Sequence, residues 1–228
     1  MQPYFMPYLG YWQLIASVDE FVVYDNIEFT KKGWFNRNYI LDNDHERLFT
    51  IPIKKDSDYL DVAERRLADD AFKENERTLR IIQMTYKKAP FYSEAYPLIE
   101  RCFMHKASNL FEYIYHSIRE ICAYLQIDTQ IVVSSTVPID HSLKGAEKVM
   151  AICAAEGAEV YINSIGGMEL YDKEIFRARG LELKFIKSQL AEYPQFGQPF
   201  VVGLSIIDIL MFNDRAAVKQ MLTEYELI

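Results

Sequence analysis

MQPYFMPYLGYWQLIASVDEFVVYDNIEFTKKGWFNRN, residues 1–38, is the stretch whose reading decides the fold. It holds a Pro/Gly-bounded aromatic loop from Gln2 to Gly10, a short helix from Tyr11 to Ser17, and an apolar strand from Phe21 to Tyr24 ending on Asp25. A polar-aromatic loop follows and closes on Asn36, Arg37 and Asn38. A loop that opens a helix presents free backbone N–H groups and the positive end of the helix dipole, which suits an anionic ligand. The carboxyl end of a strand is where open α/β sheets place ligand-contacting side chains. Asp25 and the Asn36–Asn38 run are therefore the first candidate site residues.

The rest of the chain extends this pattern. Leu48 to Ile53 reads as a second strand, with Pro52 suggesting an edge or bulge, and Asp42-Asn43-Asp44 before it as a turn. Lys54 to Asp70 is charged and weakly patterned, a surface excursion. Leu79, Ile82 and Tyr86 lie at helical spacing within Phe72–Lys88, and that helix stops before Pro90. A second helix runs from Phe91 to about Met104. Ser108 or Asn109 then caps a long amphipathic helix carrying Leu110, Tyr113, Ile114, Ile121 and Leu125.

From residue 131 the chain alternates. Ile131–Val133, Val160–Ile162 and Leu181–Ile186 read as strands, and Leu143–Glu156 and Glu169–Arg179 as helices closed by Gly157 and Gly180. Such alternation implies parallel pairing with right-handed crossovers. Leu204–Phe212, with Ser205 as a cap, and Ala216–Leu222 are short closing helices. The expected architecture is α/β, a three-layer, mostly parallel sheet forming one domain over residues 1–228, with a helical insertion or subdomain at 71–127.

Composition bounds the function. A net charge of −8 in 228 residues argues against nucleic-acid binding, which leaves a basic footprint. An acidic enzyme still binds ATP or a nucleotide-sugar through a local Arg/Lys cluster. Cys102, Cys122 and Cys153 show no paired spacing and read as buried free thiols of a reducing cytoplasm. No secretion signal and no apolar run of membrane-spanning length is visible, so a cytoplasmic protein without an integral membrane segment is expected. His45, His105, His116 and His141 lack metal-ligand spacing, and adjacent Asp140-His141-Ser142 cannot act as a triad.

Candidate chemistry gathers at predicted strand ends, which converge on one rim of a parallel sheet. Ser134 and Ser135 follow one strand, Gly166 and Gly167 another, and a loop with Tyr193-Pro194-Gln195 a third. The glycines allow close backbone approach to a ligand or simply make a turn, and the serines either bind phosphate or cap a helix. Arg37 is a bidentate donor for phosphate or carboxylate, or the partner of Asp25 or Glu28 in a surface ion pair. Asp25 reads as a base, a metal-phosphate ligand or a turn former. Asp208, among apolar neighbours, is either a carboxylate with a raised pKa or one held ionised by a partner.

These residues carry a resemblance. Gln2-Pro3-Tyr4-Phe5, Pro7-Tyr8-Leu9-Gly10-Tyr11, Asp25, Phe29 and Asn36-Arg37-Asn38 recur in order with Tyr86–Pro90, Ser134-Ser135, Gly166-Gly167 and Leu204–Asp208. In this order the chain resembles the WbqC-like family of bacterial proteins. That family is associated with gene clusters for O-antigen and related surface polysaccharides (lipopolysaccharide), and glycyl transfer onto the polysaccharide has been suggested for it. The resemblance implies apolar residues ahead of the Gln-Pro pair that form a first strand. Here Met1 stands directly before Gln2, so the sheet is expected to lack an edge or central strand. Glu28 stands where relatives often have Gln. A weaker likeness in layout is to nucleotidylyltransferases and pantoate ligases, with Tyr11 where their second signature histidine stands.

The expectation is a transferase of surface-polysaccharide biosynthesis. It attaches an acyl or aminoacyl group, glycyl among the candidates, to an amino sugar or nucleotide-sugar, with ATP as the cofactor the layout admits. Asp25, Arg37 and Asp208 are the catalytic candidates. Gln2, Tyr8, Gly10, Tyr11, Asn36, Asn38, Ser134, Ser135, Gly166, Gly167 and Ser205 are the candidates for substrate binding. The alternative is a non-catalytic module that presents a sugar-nucleotide or carrier to a partner enzyme.

Overall fold

The computed structural model describes residues 1–197 and 199–228. Helix α1 (Leu9–Ala16) follows the aromatic loop and buries all but its last residue. Strand β1 (Glu20–Val23) comes next and pairs in parallel with β4 (Gln130–Val133) in direct register, Glu20 opposite Gln130 and Val23 opposite Val133. Strands β5 (Val160–Ser164) and β6 (Glu182–Ser188) form a second parallel pair. An unanticipated β7 (Tyr225–Leu227) adds to β6 in antiparallel sense. The α/β class and its parallel pairing are as expected, but the pairing is divided between small sheets.

The third sheet is a hairpin of β2 (Arg37–Asp42) and β3 (His45–Thr50). Asn43 and Asp44 turn it with positive φ, +50° and +63°, the geometry a tight hairpin needs and Asn/Asp tolerate. Arg37 and Asn38 are thus strand residues, not the loop the sequence suggested. Alternating burial of Asn38 and Ile40 against Arg37 and Tyr39 explains why. Lys54–Asp70 is a surface excursion only over its first part, residues 54–59, which are all exposed. Val62, Arg65 and Leu67 are buried, and the segment runs beside Asp25–Ile27 through Ala63 N to Asp25 O (3.0 Å) and Val62 N to Ile27 O (2.9 Å). Its alternation was too short to stand out among the charges.

Helices α2 (Ala71–Tyr86), α3 (Tyr92–Phe103) and α4 (Leu110–Leu125) occupy the middle of the chain. Asn109 caps α4, its side chain accepting from Glu112 N at 3.1 Å. All three helices share one apolar cluster with α1, β1 and the hairpin. A second, smaller cluster joins α5 (Gly145–Ala155) to α6 (Lys173–Arg177) and β6 through Val149, Cys153, Phe176 and Phe185. The last helices, α7 (Ile206–Phe212) and α8 (Arg215–Met221), are capped by Ser205 and Asp214. Gln13 ties this end to α1, donating to Met221 O (2.8 Å) and Glu224 O (2.9 Å) from a fully buried position. The three cysteines are free and buried.

Candidate functional site

The aromatic loop turns on Met6, a non-glycine residue at φ +49°. An L-residue with a long side chain pays for that conformation in strain, so it persists only where neighbours hold it. Here Met6 O accepts from Asn38 Nδ2 (2.6 Å) and from Ser205 Oγ (2.7 Å). Pro7 O accepts from Trp12 Nε1 (3.1 Å) and Ile206 N (2.9 Å). Asn36 Nδ2 donates to Ile51 O at 2.7 Å, and buried Tyr11 donates from its hydroxyl to Gln2 O at 3.0 Å. Asn36, Asn38, Tyr11 and Ser205 therefore spend their polar groups on backbone. Gly10 has a packing reason: a Cβ there would lie 2.5 Å from Ser188 Oγ and 2.6 Å from the Tyr8 ring.

Asp208 is the hub of the same region. It is fully buried, with Tyr86 Oη at 2.7 Å on Oδ1 and Tyr193 Oη (2.7 Å) and Gln195 Nε2 (2.8 Å) on Oδ2. Burial pushes its carboxyl up, while the three hydrogen bonds oppose the shift. Tyr86 Oη in turn accepts from Leu41 N (2.8 Å). Both oxygens of Asp208 are committed to side chains of its own fold. Arg37 is not its partner. The guanidinium lies over the Trp34 ring at 5.2 Å, Nη2 donates to Lys32 O, and Nε is buried with no partner among the described residues. Tyr4 and Tyr39 pack by the Trp34 ring, and Tyr4 is near enough to feel Tyr8, Arg37 and Tyr39, although burial is the main reason its hydroxyl pKa rises.

A different kind of cluster forms where β1 and β4 end. Asp25 Oδ1 accepts from Ser134 Oγ (2.9 Å) and Ser135 N (2.9 Å), which lashes the two strand ends together. The single Ser134 hydroxyl proton is also within reach of Asn26 Oδ1, at 2.6 Å. Lys148, on the first turn and a half of α5, reaches the same amide. Its Nζ donates to Asn26 Oδ1 (3.0 Å) and Asn26 O (3.2 Å) and sits 5.4 Å from the Tyr24 ring centroid. Asn26 Nδ2 meets His141 Nδ1 at 3.0 Å. Lys148 is only 8% exposed, and burial lowers its pKa while Asp61 and Asp25 pull it up. Asp61 shifts upward, first by burial and then by Glu64, with Lys148 opposing.

The segment that delivers Asp61 also delivers Arg65. This guanidinium is 2% exposed and lies 4.8 Å from the Phe29 ring centroid. Its Nε and Nη2 have no hydrogen-bond partner among the described residues. A buried, incompletely paired cation costs free energy unless an anion reaches it. At the end of β5, Gly167 is buried against Asn163, whose Nδ2 would lie 2.5 Å from an added Cβ. Gly166 is exposed with open space around it, so the backbone there is accessible.

The candidate residues thus divide. Asp25, Ser134 and Ser135 come together with Lys148, whereas Asp208, Asn36, Asn38, Tyr11 and Ser205 hold the loop and hairpin. Lys148, Asn26, Asp61 and Arg65 were missed by sequence reasoning. A lysine on the opening turns of the helix after Ser134–Thr136 was a usable signal, since that helix starts on the carboxyl side of the strands. Arg65 offered none. Among the described residues no group of three His, Cys, Asp or Glu side chains is placed to hold a metal ion, and no helix is long and apolar enough to cross a membrane.

Comparison with known proteins adds the family. A family model described as "WbqC-like protein family" matches residues 2–220. The chain is 26% identical over 219 residues to an uncharacterized protein of Mycobacterium tuberculosis, Rv1507c, with 93% of this chain and 91% of that one covered. No solved structure matches significantly.

Proposed function

The chain belongs to the WbqC-like protein family, and from that premise and the rim geometry we propose a transferase of bacterial surface-polysaccharide biosynthesis. It moves an acyl or aminoacyl group, glycyl in the simplest case, onto the amine of an amino sugar carried as a nucleotide-sugar. The observation that carries the reading is Lys148: a buried ammonium hydrogen-bonded to Asn26, near enough to Asp61 and Asp25 to feel their charge, where two parallel strands end. A cation so placed, in low-dielectric surroundings, binds a phosphate or an activated carboxyl more strongly than one on the surface.

The roles follow from the contacts. Lys148 and Arg65 neutralise the anionic donor or nucleotide, Gly166 lets it approach the backbone, and Asp25 orients the acceptor amine through its second oxygen. The amine attacks the acyl carbon, the bond to the leaving group breaks, and the amine's extra proton passes to a carboxylate. Asp25 and Asp61, the carboxylates whose charge acts on Lys148, are the candidates for that role. Arg37 with Trp34, Tyr4 and Tyr8 supplies a face for stacking against a base or sugar. Gln2 and Ser135 add hydrogen-bonding groups at the strand ends. ATP-dependent activation of the acyl group is compatible with the same cations.

A second reading, a module that presents a nucleotide-sugar to a partner enzyme, is favoured by one observation. Asp25 Oδ1 is already committed to Ser134 and Ser135, an arrangement suited to holding a loop. A thermal-shift screen with ATP-Mg²⁺, UDP- and dTDP-sugars, acetyl-CoA and glycine, repeated on Lys148→Met and Arg37→Ala, tests both. Binding to the native state alone raises the midpoint. A shift with nucleotide-sugar that Lys148→Met removes, together with turnover of an acyl donor, supports the transferase. The same shift without turnover in the isolated chain supports presentation, and no shift across the panel contradicts both.

A further inference from the structure

Asn26 is the amide on which Lys148, Ser134 and His141 converge at the end of β1. Its side-chain oxygen lies 3.0 Å from Lys148 Nζ and 2.6 Å from Ser134 Oγ, and its nitrogen 3.0 Å from His141 Nδ1. A further contact from Lys148 Nζ to Asn26 O, at 3.2 Å, keeps the ammonium in place. An ammonium has donors and no acceptor, so the amide oxygen must face Lys148 and the NH₂ group must face the imidazole. The amide turned over would set its NH₂ against the ammonium.

That orientation decides the form of His141. The Asn26 NH₂ group only donates, so Nδ1 must receive it through a lone pair, and in the neutral ring the proton then sits on Nε2. Nε2 lies across the ring from Asn26 and has no hydrogen-bond partner among the described residues, and the residue is exposed. The loop that carries it is itself pinned. Asp140 Oδ1 accepts from Ser142 N (2.9 Å) and Ser142 Oγ (2.7 Å), and Leu143 N donates to Asp140 O (3.3 Å). Asp140-His141-Ser142 is therefore a turn whose carboxylate and hydroxyl bond each other and hold one imidazole out beside Asn26.

We propose that His141 donates a hydrogen bond from Nε2 to an oxyanion of the ligand, phosphoryl or carboxylate, and that Asn26 is the positioning residue that fixes the ring in this form. The inference deepens the transferase reading and rests on it for the identity of the ligand. A ring so fixed has no lone pair on its free nitrogen, so it does not take the proton of the attacking amine. That role stays with a carboxylate. What His141 supplies is a second donor on the Asn26 amide's other side from Lys148, able to steady an anionic leaving group without giving up its proton.

The test reads the ring directly. Long-range proton–nitrogen correlation NMR on the nitrogen-labelled chain, at mildly alkaline pH and without ligand, tells the ring nitrogens of each histidine apart. His141, assigned by its loss in His141→Gln, is expected in the Nε2–H form. Asn26→Asp, whose carboxylate only accepts, is expected to move the proton to Nδ1, and Lys148→Met, which frees the amide to turn, to mix the two forms. Inorganic pyrophosphate and acetate are then titrated in. A shift of Nε2 with pyrophosphate marks a phosphoryl seat, and a shift with acetate a carboxylate seat. His141→Phe is expected to weaken the effective anion about three- to ten-fold, and His141→Gln, which keeps an N–H donor, to recover part of that loss. An Nδ1–H ring in the parent chain, a ring indifferent to both Asn26→Asp and Lys148→Met, or an Nε2 that neither anion moves overturns the proposal. None of these readings uses turnover, so their failure leaves the transferase reading standing, and a chain without turnover still reports the state of the ring.

Discussion

The region around Met6 and Asp208 and the region around Asp25 and Lys148 use similar side chains to opposite ends. In the first, Asn38 and Ser205 converge on one strained carbonyl, and Tyr86, Tyr193 and Gln195 saturate one carboxylate. Every such bond ends within the fold, so the cluster fixes the aromatic loop and leaves little to offer a ligand. In the second, Lys148 shares an amide with Ser134 and His141, Asp61 is half-buried, and Arg65 keeps donors unpartnered among the described residues. Arg37 Nε, Gln13 Oε1 and Asn75 Oδ1 are also buried without a partner among the described residues. Incomplete pairing therefore points to a site where it falls together with charged groups, as it does at Lys148, Asp61 and Arg65.

The sharpest way to break this contrast is Asp208→Ala. It leaves two phenols and an amide without their buried acceptor, and urea denaturation is expected to show a loss of about 3–5 kcal/mol. A loss below about 1 kcal/mol would remove Asp208 from its structural role. Next in size is a pH effect at Met1. Its amine pKa falls from 8.0 to about 5 on folding, so the unfolded chain binds the proton more tightly across that window. Stability of the chain with a free amine is therefore full above pH 8 and declines toward pH 5, by roughly 4 kcal/mol at most. Acetylation should flatten that slope in melts taken across the range.

Gly10→Ala comes third. The added Cβ meets Ser188 Oγ and the Tyr8 ring too closely, and the overpacking should cost about 1–3 kcal/mol. At the rim the expectation reverses. Lys148→Met keeps an unbranched side chain of similar length and should change stability by less than about 1 kcal/mol, because the burial cost of the charge disappears with its hydrogen bonds. Ligand affinity, read by calorimetry with the best binder of the screen, should fall at least about ten-fold. Smallest of all, removing the exposed Arg177–Glu174 ion pair by Arg177→Ala should move the midpoint within about 0.5 kcal/mol.

Much of the fold was legible because periodicity and punctuation agree. The helices over 71–125, the Asn109 and Ser205 caps, and Gly157 and Gly180 at positive φ all follow from local chemistry. Strand β7 and the buried part of Lys54–Asp70 were not, since three residues carry no period and Arg65 reads as solvent-facing until the fold encloses it. At the site, the Asp25 and Ser134–Ser135 pairing was visible as two strand ends. The roles of Asn36, Asn38 and Tyr11 were not, because a motif of polar residues looks the same whether its partner is a ligand or a neighbouring carbonyl. Only the third dimension shows that Met6 O is what Asn38 and Ser205 address.

The most direct test sets the two regions side by side in one titration. Binding of the best nucleotide-sugar is measured by calorimetry on the parent chain, on Lys148→Met and on Tyr193→Phe, with the melting midpoint of each recorded without ligand. The account predicts that Lys148→Met loses binding at an unchanged midpoint, while Tyr193→Phe, which strips a donor from Asp208, melts earlier yet binds as the parent does. Lost binding in Tyr193→Phe with full binding in Lys148→Met would contradict it and move the site to Asp208.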